Sequence, residues 1–130
     1  MILLSLGRMR LGTPILDAMK KLIGLFAKHS ADRATLDELE RMIDDRNSWR
    51  KAHDLFQRIR HKTLAASKRG DARLGAQFAF EEACAKTLYN LAQQPAPFDA
   101  DSPYWIVPHA LTVARHYKIP DSDIIKLVAP

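Results

Sequence analysis

Residues 46–73 read RNSWRKAHDLFQRIRHKTLAASKRGDAR, and the period of this stretch decides the fold. At about 100° per residue, Trp49, Ala52, Leu55, Phe56, Ile59, Thr63 and Ala66 fall within one arc of roughly 120°. Arg50, Lys51, Asp54, Arg58, His61, Lys62, Lys68 and Arg69 fall on the opposite arc. An amphipathic helix accounts for both sets at once, with one face packed and the other solvated and positive. The stretch holds nine Lys or Arg against two acids, Asp54 and Asp71, a net charge of +7 in a chain whose total is +5. The positive charge is therefore local, and the remainder of the chain is slightly acidic.

Working outward, Gly70 suits the left-handed residue that ends a helix, and Asp71 suits the cap of the next. Over Ala72–Gln94, Leu74, Phe78, Ala85, Leu88 and Ala92 form one stripe and Phe80, Cys84 and Leu91 a second. A helix apolar nearly all round belongs in the middle of a bundle or at a dimer seam. The short connection makes the two helices an antiparallel hairpin.

Upstream, Thr13 and Pro14 read as an N-cap and first helical residue, followed by an inward face of Ile15, Met19, Leu22, Ile23 and Phe26. Residues 1–13 contain two glycines without a sustained period and read as a loosely held arm. Thr35-Leu36-Asp37-Glu38 has the capping-box pattern, with the Thr35 hydroxyl expected on the orphan amides. The stripe that follows (Leu36, Leu39, Met42, Ile43) does not run in phase with the Trp49–Ile59 stripe, so a break or kink is expected near Asn47-Ser48.

Downstream, Pro95-Ala96-Pro97 stops the long helix and 98–102 reads as a loop. Pro108 predicts a short turn at 103–106 and a separate helix over 108–117, with Leu111, Ala114 and Tyr117 inward. Pro120 and Asp121 begin a last helix through Val128. The expected fold is all-α, a small single-domain bundle over residues 1–130 with about five helices organised around the central antiparallel hairpin.

A hydrophobic share of 47% in 130 residues is enough for a real core. The single cysteine, Cys84, excludes an intramolecular disulfide and fits a reducing, cytoplasmic setting. Met1–Leu6 is apolar but too short, and lacks the basic leader, to read as a signal peptide. No apolar run approaches the ~20 residues needed to span a bilayer, so membrane insertion is not expected.

Residues that might carry chemistry are few. Cys84 lies on an apolar stripe and reads as a small core hydrophobe rather than a nucleophile. His109 and His116 are seven apart, which is not the three or four of helical two-histidine metal motifs. There is no glycine-flanked serine elbow and no glycine-rich phosphate loop. Glu81 is the oddest residue, because it falls in the centre of the Leu74–Leu88 stripe. Either its helix turns it outward or it meets a cation such as Arg60, or a histidine.

These readings predict a non-enzymatic helical interaction or regulatory module, without cofactor or metal, that binds an acidic protein partner or a second copy of itself. The expected partner-binding residues are Arg50, Lys51, Arg58, His61, Lys62, Lys68 and Arg69 on the basic face, with Tyr104 and Trp105 from the aromatic segment after the central helix. The alternative is a nucleic-acid-binding protein that uses residues 46–73 for phosphates. A third, weaker reading is a metal-dependent hydrolase resting on the histidines.

Overall fold

A computed structural model describes residues 13–93 and 101–129. Among them there are six α-helices, a 3₁₀ turn and no strand. The helices are α1 (Thr13–His29), α2 (Ala34–Asp44), α3 (Ala52–Arg69), α4 (Ala72–Ala92), α5 (Asp101–His116) and α6 (Asp121–Val128), with the 3₁₀ turn at Arg46–Lys51. The protein is a small all-α bundle. Of the expected arm over residues 1–13 all but Thr13, which begins α1, lies outside the described residues, as do the stop at Pro95–Pro97 and residues 98–100 of the expected loop 98–102; Asp101 and Ser102 of that loop are already helical.

The break between the two out-of-phase stripes is built from polar side chains that turn onto backbone. The Asp45 carboxylate accepts from the Asn47 amide at 3.2 Å, and the Ser48 hydroxyl donates to the Asp45 carbonyl at 2.6 Å. The Trp49 indole N–H donates to the Met42 carbonyl at 2.7 Å, which also accepts the Asp45 backbone N–H at 3.1 Å where α2 ends. Trp49 itself is buried. The chain changes direction here so that both stripes can face the same core.

The connection from α3 to α4 follows the residues that predicted it. Gly70 is left-handed at φ 70°; its N–H donates to the Ser67 carbonyl at 3.1 Å, and the Asp71 N–H donates to Ala66 at 2.9 Å, a Schellman closure. The Asp71 carboxylate accepts from the Leu74 N–H at 3.0 Å and caps α4. His53 meets Tyr89, Thr63 bonds Glu82 and Lys62 lies over Phe78, so the two helices run in opposite directions along each other.

α4 packs against α2, α3, α5 and the 3₁₀ turn, and Phe80 on it meets Phe26 of α1 edge-on with ring centroids 5.1 Å apart. Its residues from Leu74 to Leu91 on one side are buried, while the side that carries Ala76, Ala79 and Ala83 is only partly covered. The core is one continuous cluster from Ile15 to Val128, with Met19, Phe26, Leu39, Leu55, Ile59, Phe80 and Ile124 all buried.

Two expectations are corrected. Pro108 does not start a helix but lies inside α5, which is continuous from Asp101 to His116. Proline removes one helical N–H, but Ile106, Val107, Ala110, Val113 and Ala114 bury a stripe on both sides of it. That burial holds the helix together across the gap. Leu111 and Tyr117 are only partly covered. Thr35, in turn, is not a cap. α2 starts one residue earlier, Arg33 stands at its N-cap without a side-chain hydrogen bond, and Thr35 is buried.

Candidate functional site

Thr35 faces inward because Glu81 is there. Glu81 is 0% exposed, and it meets neither Arg60 nor a histidine. Its carboxylate accepts from the Thr35 hydroxyl and, at 2.9 Å, from the Gln77 amide. Burial pushes its pKa up to about 7, against the opposing pull of those two hydrogen bonds and of the Lys62 charge. Gln77 is the hub of the surrounding network. Its amide nitrogen also donates to the Asp32 carbonyl at 2.8 Å, and its oxygen accepts from Ser30 at 2.8 Å and from the Tyr117 hydroxyl at 3.2 Å. Arg73 donates to that same hydroxyl at 3.0 Å. Nothing in the sequence marked Gln77, Ser30 and Thr35 as a set, since Gln77 lies more than forty residues from the other two; only the misplaced carboxylate signalled that polar partners had to exist.

The basic residues sort into separate places. Arg50 and Lys51 are exposed in the 3₁₀ turn. Lys51 is thirteen residues from Leu64, or about 20 Å along a helix. Arg58 is exposed but is held by Glu38 of α2 at 2.8 Å, so it links two elements as well as facing solvent. His61, Lys62, Lys68 and Arg69 are exposed on the C-terminal half of α3, together with Arg60. Among the described residues none of these five forms an ion pair. At their centre is a residue the reading of the sequence passed over: Leu64, 55% exposed, with Arg60, His61 and Lys68 three or four positions away on the same face. Its signal was available, as a leucine outside the packing arc of a helix otherwise cationic there.

This half of α3 is a ridge between two clefts. On the α2 side, a cleft of about 380 Å³ is lined by Arg33, Thr35, Lys62, Arg69, Leu74 and Phe78 among others. On the α5 side, a more open groove of about 450 Å³ includes Phe56, Arg60, Glu82, Lys86, Trp105 and His109. Trp105 is 50% exposed and lies 5.8 Å from the His109 ring, so it contributes to the groove wall. Tyr104 belongs to α5, but its side chain lies outside the described residues.

The histidines do not assemble. His109 is half-buried, with burial lowering its pKa and Glu82 opposing that; His116 is exposed. Among the described residues no three His, Cys, Asp or Glu side chains come together as metal ligands. Cys84 is fully buried, and burial, with the nearby Glu81 charge, pushes its thiol well above the usual range. Among the described residues no helix is long and apolar enough to cross a membrane. No family model matches the chain, and neither curated proteins nor solved structures give a match.

Proposed function

We propose that the chain is a non-enzymatic helical interaction module that docks an acidic, amphipathic protein segment along the outer face of α3. One observation carries this: Leu64 is an exposed apolar anchor flanked on its helix by Arg60 and Lys68, which form no ion pair among the described residues. An apolar contact flanked by charge of one sign fits a partner with the reverse arrangement, leucine-like anchors among carboxylates. The clefts on either side give such a segment edges to register against. A second copy of the chain is a poorer occupant for this face, because it would bring like charges together across the seam. The reading places the protein in a reducing compartment such as the cytoplasm, where its buried thiol stays unmodified.

Fluorescence anisotropy tests the reading with a labelled helical peptide of glutamates and leucines spaced three and four apart. Binding should weaken steeply between low and physiological salt, as expected for charge-steered association. Leu64→Asp should reduce it at least tenfold without changing the melting temperature by more than a degree or two, since the side chain is already in solvent. Equal binding by Leu64→Asp, or tighter binding to single- or double-stranded nucleic acid than to the peptide, would transfer the function to the nucleic-acid reading.

A further inference from the structure

The cleft on the α2 side of the ridge has the composition of a site for something small. Three cations, Arg33, Lys62 and Arg69, line it with a single carboxylate, Asp32, and its apolar surface comes from Leu74, Phe78 and small alanines. Arg33 reaches its helical neighbour Asp37 only at 3.8 Å, and Lys62 and Arg69 have no ion-pair partner among the described residues. The Lys62 ammonium lies 6.0 Å from the centre of the Phe78 ring, so charge and aromatic surface meet inside one cleft. Its volume of about 380 Å³ is within the range of small-ligand pockets.

We propose that this cleft binds a small organic anion, a carboxylate or phosphate on a short apolar stem. Lys62 and Arg69 take the charged head, and Leu74 and Phe78 pack against the stem. The anion is either a free molecule or a group carried by the docked segment. The proposal goes beyond the docking reading, since a free anion would bind with α3 uncovered.

The cleft shares a wall with the buried network, because Thr35 lines it while bonding Glu81. The groups around that carboxyl are Thr35 from α2, Gln77 and Cys84 from α4, Lys62 from α3 and Asp32 from the turn before α2. Of these, Lys62 is the one that favours the ionised form by its charge. An anion seated on Lys62 cancels that support, so binding draws a proton onto Glu81 and weakens as pH rises through neutrality.

Isothermal titration of the full chain with 3-phenylpropionate, phenyl phosphate and the neutral 3-phenylpropanol tests the site. Both anions should bind and the alcohol should not. Lys62→Gln and Arg69→Gln should each weaken the anions at least tenfold, whereas Arg50→Gln, on an exposed cation at the far end of the stretch, should not. For 3-phenylpropionate, which stays ionised throughout, affinity should fall from pH 6 to pH 8 in the wild type and stay level in Glu81→Gln. No heat with either anion at millimolar concentration, or the same loss in Arg50→Gln as in Arg69→Gln, would overturn the site. A pH dependence unchanged in Glu81→Gln would overturn its placement beside Lys62. Displacement of the labelled peptide by saturating anion assigns the group to the docked segment, and simultaneous binding assigns it to a free molecule. Leu64→Asp should leave anion binding intact, so loss of peptide docking and loss of the cleft are separate results.

Discussion

Glu81 shows how one residue can set terms for its surroundings. An ionised carboxylate in the interior is costly, and here the cost is met by two donors and by a pKa raised to about 7. A carboxyl raised this far above its unfolded value favours the folded state fully below about pH 4.5, and that contribution is lost as pH rises through about 7. The loss across that window is roughly 3 kcal/mol at most. Glutamine in its place can keep the contacts without a titrating proton. Glu81→Gln should therefore match or exceed the wild type in stability at pH 8 and lose its relative advantage toward pH 5. Urea denaturation of both proteins at the two pH values measures this difference.

At the scale of elements, what was legible was whatever a single helix decides for itself. The inward faces of α1 and α3, the glycine at the end of α3 and the aspartate that caps α4 follow from spacing and local backbone chemistry. The phase slip between two stripes also gave the break before α3 correctly, because a helix cannot present two unrelated faces to one core. What failed was decided by neighbours. The Thr35 hydroxyl had a local use at a helix start and a distant one at Glu81, and the buried carboxylate took it. Pro108 breaks a helix in isolation, but buried side chains before and after it keep α5 continuous. The basic face was visible as a whole; its division into an Arg58–Glu38 link, a distant Arg50–Lys51 pair and a ridge around Leu64 depended on where α2 packs. The 3₁₀ turn yields a prediction at this scale. Trp49→Phe keeps the aromatic bulk but removes the indole donor from the Met42 carbonyl, which retains the Asp45 N–H, so the protein should lose about 1 kcal/mol in chemical denaturation.

For the molecule as a whole, α4 supplies much of the core and α3 much of the exposed positive charge. α4 is covered on several sides by its own chain, and α3 turns its opposite face outward with cations and a bare leucine. That division lets the outer face change without disturbing the packing behind it. The interior has its own point of convergence at Gln77, whose side chain joins Ser30, Asp32, Glu81 and Tyr117, residues drawn from the beginning, middle and end of the described chain. The consequence concerns the order of events during folding. The α3–α4 pair needs only a short loop to close, whereas Gln77 is satisfied only after the 30–35 turn and the end of α5 have both arrived, at separations of 47 and 40 residues. Its bonds to Ser30, Asp32 and Tyr117 should be absent from the transition state. Gln77→Ala should leave the refolding rate close to that of the wild type and appear almost entirely as faster unfolding in a stopped-flow chevron, making this glutamine a latch closed last and opened first.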